Sequence, residues 1–459
     1  MNTPSSDTRR WPGYNAVWRW HFYAGLFCIP FVLWLALTGS VYLFRPQIEA
    51  LIDRPYANVA ALGPRASAAA QAEAAVRAVP GSVLHRYQLP DTPNQAVQII
   101  VGAGARETRV YVHPQTLAIL KTVDEDSRLM RIVFRLHGEL LAGDKGSYVV
   151  ELAASWTIVM ILSGLFLWWP RNGGLGGVLY PRIRSEGRRF WRDLHGVTGF
   201  WISFFALFML LSGLPWAKSW GSYLEAVRSI TEATAVRQDW STGQADELKT
   251  RAAMDRGTRM MMGDHAEHGG MAMMHPLRSY APLDRLVVTV RPLGLAAPVL
   301  IAPPTAPDQP WTAKSDAADR PLRTDLTLDG KTGAILGRKD FTQRRLIDRL
   351  VGYGVAVHEG QLFGLANQLL NLMTALGLVL LSVSSVMLWW RRRPEDVLGA
   401  PPALAGPPLA IGFFALLVAL GLLLPLLGVT MIAVLLAERL ILRRLPQARR
   451  WLGLHPITT

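Results

Sequence analysis

The sequence predicts a mainly α-helical membrane protein with six transmembrane helices. They are built on a duplicated helix–module–helix unit that carries two small external α+β modules. Three observations predict this. Half of the 459 residues are hydrophobic and only 18% are charged. The apolar residues gather in runs of about 20 or more, enough to cross a hydrocarbon core of roughly 30 Å. The arginines bunch at the ends of those runs, the positive-inside pattern of membrane helices. A net charge of +14 in a soluble chain would point to nucleic acid. Here the charges flank apolar runs, so the expected partner is the lipid bilayer and not nucleic acid.

Residues 1–17 form a cytoplasmic N-terminus, and 18–44 the first span, read as retained because no small-residue cleavage site follows Trp34–Tyr42. Residues 45–147 form the first external module and 148–169 the second span. Residues 170–195 are a cytoplasmic loop and 196–217 the third span. Residues 218–365 form the second module and 366–390 the fourth span. Residues 391–407 are again cytoplasmic. The run 408–442 would reach about 52 Å as one helix, too long for one crossing. Pro425 and Gly428 in its middle divide it into a two-span hairpin. Residues 443–459 close the chain. With six spans, the clusters at Arg9–Arg19, Arg171–Arg192, Arg391–Arg393 and Arg443–Arg450 all face the cytoplasm.

In the modules, "AVQIIVG", "TRVYVHPQTLAIL", "DRLVVTVRPL" and "RTDLTLDGKTGAIL" read as strands and turns. The single cysteine, Cys28, excludes an internal disulfide, a thiolate zinc site and a C-x-x-C-H attachment.

The chain repeats itself. His21 precedes Gly25 and Gly39 as His195 precedes Gly199 and Gly213. His137 lies 31 residues before Trp168–Trp169, and His358 lies 31 before Trp389–Trp390. Each copy has two spans, so both enter the membrane in the same direction, related by a pseudo-twofold axis along its normal. Equivalent residues then share a depth. His21 and His195 pair at the cytoplasmic end, His137 and His358 at the external end. Two facing imidazoles suit a haem with two axial histidines. Gly25 and Gly199, one turn along the same face, would let a flat ring approach. The expectation is two haem b groups in series, passing electrons across the bilayer. A single interfacial histidine more often only snorkels; the matched spacing is what argues for ligation. The Trp pairs read as interfacial anchors.

The segment 259–276 holds His265, His268 and His275 with Met271, Met273 and Met274. Thioether and imidazole donors suit copper, and the competing reading is a biased loop with no fixed site. His85, His113 and His455 lack a partner spacing and read as surface or turn residues. No nucleotide or hydrolase motif is present. The cytoplasmic loops are too short for a flavin or nicotinamide domain. Electrons must therefore come from a separate cytoplasmic reductase or a membrane quinol.

"WHFYAGLF", "LHGELL", "RDLHGVTGFW", "SGLPW" and "HEGQLFG" resemble motifs of the PepSY-associated transmembrane family. The chain is similar to its iron-regulated members, ferric-siderophore reductases of the bacterial inner membrane. "YVHPQTLAIL" and "TLDGKTGAIL" resemble the strand–turn–strand of PepSY modules, with His113 and Leu117 in place of the usual Asp and Gly. The resemblance implies a multi-pass inner-membrane haem reductase, both termini cytoplasmic, that moves electrons outward to ferric siderophores or other chelates in the periplasm. Two alternatives stay open. One is a cupric reductase or copper-handling protein; the other is a non-redox PepSY scaffold or protease regulator.

Overall fold

The computed structural model describes residues 13–104, 106–170, 175–231, 280–304, 309–401 and 411–454. The helices are α1 (Tyr14–Leu43), α2 (Arg45–Asp53), α3 (Ala68–Ala78), α4 (Leu129–Glu139), α5 (Gly143–Trp168), α6 (Gly187–Gly213), α7 (Lys218–Thr231), α8 (Pro282–Val290), α9 (Leu346–His358), α10 (Gly364–Trp390), α11 (Ile411–Leu423), α12 (Pro425–Ala437) and α13 (Pro446–Leu452). The strands are β1 (Val83–Leu89), β2 (Val97–Ala103), β3 (Arg106–Val112), β4 (Ile119–Asp124), β5 (Val299–Ala302), β6 (Trp311–Ser315), β7 (Thr324–Leu328) and β8 (Ile335–Asp340). They form two compact units. One comprises Met1–Val41, Phe134–Val236 and Leu369–Thr459; the other comprises Tyr42–Val133 and Arg237–Gln368.

The first unit is helical. Among the described residues five helices are long and apolar enough to cross a membrane: Tyr14–Leu43, Gly143–Trp168, Gly187–Trp216, Gly364–Trp390 and Pro425–Leu442. The expected sixth span is corrected. Helix α11 has 13 residues, about 20 Å, short of a hydrocarbon core of roughly 30 Å. The expected reversal is present: the chain turns at Leu424 (φ −119°, ψ 84°), immediately before Pro425. Seven residues of straight helix would advance about 10 Å. Yet a Cβ placed on Gly428 would lie 2.5 Å from the Gly421 carbonyl oxygen. Only glycines allow the limbs to come that close.

An acidic side chain lies two turns inside the second span. Glu151 of α5 is buried and accepts from the backbone N–H groups of Ser219 (2.8 Å) and Trp220 (3.3 Å). These are otherwise unsatisfied donors of the first turn of α7, where a carboxylate is favoured.

The second unit corrects the other half of the fold-class expectation. There is one eight-stranded antiparallel sheet, ordered β4-β3-β2-β1-β5-β6-β7-β8, and not two separate modules. Each four-strand half alone would leave an unpaired edge at β1 or β5, with its N–H and C=O groups unsatisfied. The two edges satisfy each other through Tyr87↔Ile301, Gln88↔Leu300 and Leu89↔Val299. The strand order is palindromic about this seam, as a duplication requires.

Helices α3 and α8 cover one face. Ala72 and Ala75 bring α3 close to Ile99, Val101 and Val110, while Leu283, Leu286 and Val290 of α8 pack over Ile301 and Leu326. The segment "DRLVVTVRPL", expected as a strand, is therefore mostly helix. Its β-branched residues favour extension, but Leu283, Leu286 and Val290 fall on one helical stripe, and burying that stripe decides. His85, expected at the surface, is also corrected. It is buried in the sheet with Nδ1 2.6 Å from Glu107, and a Cβ on Gly102 would come within 3.0 Å of its ring.

Candidate functional site

Four spans converge on the first pair of sequence-predicted histidines. His21 sits on α1 and His195 on α6. Their ring centroids are 6.4 Å apart, with the planes at 80°. Each ring is tied by Nδ1 to a hydroxyl on a further helix. His21 Nδ1 is 3.0 Å from Ser163 Oγ on α5. His195 Nδ1 is 3.2 Å from both Ser384 Oγ and Ser385 Oγ on α10. A Cβ on Gly164 would lie 3.1 Å from His21 Cε1, so that glycine lets the ring rest against α5.

Gly25 and Gly199, the expected approach surfaces, look onto equivalent neighbours. A Cβ on Gly25 would meet Met160 Sδ at 3.7 Å, and one on Gly199 would meet Leu381 Cδ2 at 3.6 Å. Both are ordinary van der Waals distances.

His137, on α4, follows the same pattern. Its Nδ1 is 3.0 Å from Thr38 Oγ1 of α1, and burial pushes the imidazole down to about 4, so the ring is neutral. Trp34 Nε1 donates to the Leu136 carbonyl at 2.9 Å, joining α1 to α4. A Cβ on Gly39 would sit 3.0 Å from His137 Cε1, so Gly39 makes room for an imidazole. His358 ends α9 in the second unit, whereas His137 belongs to the first.

Sequence reasoning missed the hydroxyls, although a signal existed. Ser163 and Ser384 each stand five residues before a Trp-Trp pair. They also follow His137 and His358 by the same interval of 26 residues. A polar residue repeated at the same register of two apolar runs marks a buried hydrogen bond. The Trp pairs do more than anchor. Trp168 Nε1 donates to Val178 O (3.2 Å) and Trp389 Nε1 to Leu398 O (2.8 Å), so each pins the loop that follows its span. The end of α1 near His21 is fastened as well: Arg19 donates to Gly453 O (3.0 Å) and Tyr23 to Leu452 O (2.5 Å). Asp193, two residues before His195, accepts from Arg182 through both oxygens (2.5 and 2.8 Å).

Residues 18–392 match the PepSY-associated TM region. The chain belongs to the PepSY-associated TM family. No curated protein matches it.

Family membership does not carry the cofactor expectation, which is corrected. Among the described residues no group of three or more His, Cys, Asp or Glu side chains could hold a metal ion. The expected pair of haem b groups is not retained, and the residues to which copper was assigned were not part of that set. The repeated spacing that suggested ligation is also the spacing of a repeated clamp, in which imidazole Nδ1 atoms bond to hydroxyls of neighbouring helices. His265, His268, His275, Met271, Met273 and Met274 lie outside the described residues.

Proposed function

We propose that this PepSY-associated transmembrane protein is an oxidoreductase of the bacterial inner membrane that reduces ferric siderophores or other ferric chelates in the periplasm. One electron converts Fe(III) to Fe(II), which hard oxygen ligands hold less tightly, and the metal leaves the chelate. The electron comes from a separate cytoplasmic reductase or a membrane quinol. The arginine clusters support an orientation with both termini cytoplasmic.

The observation that carries the reading is the His21–His195 couple. Two neutral-capable imidazoles from different spans stand 6.4 Å apart inside an apolar bundle. Polar side chains at such depth are costly and mark functional pathways. Both rings meet hydroxyls through Nδ1, and each also bonds the backbone, His21 at Met160 and His195 at Leu381. His21 and His195, with Gly25 and Gly199, are the residues assigned to the electron path here; His137 and His358 are assigned to it separately, each within its own unit.

The clamps favour a second reading, a non-redox scaffold whose histidines only join helices. One experiment separates the two. The full-length protein is purified and its reduction of a ferric chelate recorded with a quinol as electron donor. The oxidoreductase reading expects chelate reduction by the unmodified protein that is lost in His21→Ala and His195→Ala. A folded preparation that reduces no chelate means the scaffold.

A further inference from the structure

Each serine facing a histidine also touches a backbone carbonyl. Ser163 Oγ is 2.9 Å from Met160 O. Ser384 Oγ and Ser385 Oγ are 3.0 and 2.7 Å from Leu381 O. A carbonyl oxygen only accepts, so the two contacts of each hydroxyl are both hydrogen bonds only when its proton lies toward the carbonyl. The hydroxyl then offers the imidazole only lone pairs. A contact of 3.0 to 3.2 Å between that oxygen and Nδ1 is a hydrogen bond only if Nδ1 carries the proton. With Nδ1 bare, two lone pairs would face each other in an apolar bundle, the costly arrangement for buried polar atoms.

We propose that Ser163 and the Ser384–Ser385 pair are positioning residues that hold His21 and His195 in the Nδ1–H tautomer, leaving the lone pair of each ring on Nε2. The tautomer of a functional histidine is commonly set by the bond its other nitrogen makes. The tautomer stands on this geometry whether or not the function proposed above holds.

Thr38 shows the same grammar independently. Its Oγ1 donates to Trp34 O at 2.8 Å and lies 3.0 Å from His137 Nδ1. Three histidines thus meet a hydroxyl whose proton is already committed. The two copies differ in backup. His21 has one serine, with Gly164 at the neighbouring position; His195 has two.

The test is solid-state ¹⁵N NMR of the full-length protein in lipid bilayers, labelled at the histidine ring nitrogens. The signals of His21 and His195 are assigned from their loss in His21→Gln and His195→Gln. The expected spectrum has a protonated Nδ1 on both rings. Ser163→Ala releases His21 toward Nε2–H, and Ser163→Thr restores it. Ser384→Ala alone leaves His195 unchanged, whereas the double variant with Ser385→Ala releases it. An Nε2–H signal in the unmodified protein, or no change at His21 in Ser163→Ala, overturns the proposal. If Ser163→Ala fails to accumulate, the unmodified spectrum alone decides. A protonated Nδ1 in a protein that reduces no chelate leaves the tautomer standing and removes the oxidoreductase reading.

Discussion

The two halves of the sheet build the same turn from different residues. Between β3 and β4 the turn runs His113-Pro114-Gln115-Thr116-Leu117; between β7 and β8 it runs Asp329-Gly330-Lys331-Thr332-Gly333. In both, the first residue's N–H donates to the sixth residue's carbonyl, at 2.8 Å (Ala118) and 2.9 Å (Ala334). The fifth residue takes a left-handed backbone, φ 64° at Leu117 and 78° at Gly333. In the second half the Asp329 carboxylate accepts from Lys331 N (2.8 Å) and Thr332 Oγ1 (2.9 Å). In the first, His113 Nδ1 accepts from Gln115 N (3.3 Å) and Thr116 N (3.2 Å). The turn therefore demands an acceptor at its first position and a positive φ at its fifth. Aspartate and glycine are the usual answer, not the requirement.

A buried polar pair separates the halves more strongly. The first half carries His85–Glu107, with both side chains 4% exposed. Among the described residues the second half has no pair so enclosed: Arg338–Asp340, for example, leaves the side chains 49% and 35% exposed. Removing one partner of a buried pair strands the other without solvent. His85→Ala should therefore cost about 3–5 kcal/mol. Arg338→Ala should cost under about 1 kcal/mol. Calorimetry of the full chain in detergent reads both as shifts in the transition of the sheet-bearing unit. Equal shifts would mean that the halves do not differ in this way.

Five membrane helices were legible from length and hydropathy, and the duplication from histidine and tryptophan intervals that repeat without a gap. The sixth span was not, because α11 has only 13 residues, and neither were two further features. Whether two modules share one sheet depends on an edge-to-edge pairing at the β1–β5 seam, and no periodicity within either module encodes it. The strand-like composition of residues 284–293 misled for a related reason: local β preference yields when Leu283, Leu286 and Val290 can all reach the core as one helical stripe. In the site, the histidines stood out by their chemistry. Ser163, Ser384 and Ser385 did not, because serine in an apolar run is common and its role shows only when a partner helix is in place.

The fifth turn position gives the next largest effect. Gly333 pays no steric penalty at φ 78°, and a Cβ there would meet Thr289 Oγ1 at 3.2 Å. Gly333→Leu should destabilise the sheet-bearing unit by about 1–2 kcal/mol, the usual cost of a left-handed branched residue. The reverse change, Leu117→Gly, relieves that strain but gives up the side chain's packing against the core. It should alter stability by less than about 1 kcal/mol. Denaturant midpoints of the two variants check the asymmetry. A stability gain in Gly333→Leu would remove the claim that backbone conformation governs this position.

The smallest effect lies on the acid side of the pH curve, where the halves again swap residues. At matching positions Arg109 on β3 answers to Asp325 on β7 and Glu125 after β4 to Phe341, while Arg128 and Arg344 are the same residue in both halves. Arg344 Nη2 bonds Asp325 at 3.0 Å with both side chains partly exposed. Glu125 is more enclosed and is held by both Arg109 and Arg128. Burial alone would raise its carboxyl, but the two guanidinium groups outweigh burial and hold it below the ordinary glutamate range. A depressed folded-state value gives stability that is fully present above the unfolded value, about 4.3. It is lost as pH falls through the folded value. Glu125→Gln should therefore be less stable than the unmodified protein near neutrality and should approach it as acid protonates Glu125. Its unfolding midpoint should also fall less steeply with pH below about 4. Parallel acid limbs in the two proteins would show that the Arg109–Glu125–Arg128 cluster contributes no proton-linked stability, and that the exchange of charge between the halves is neutral.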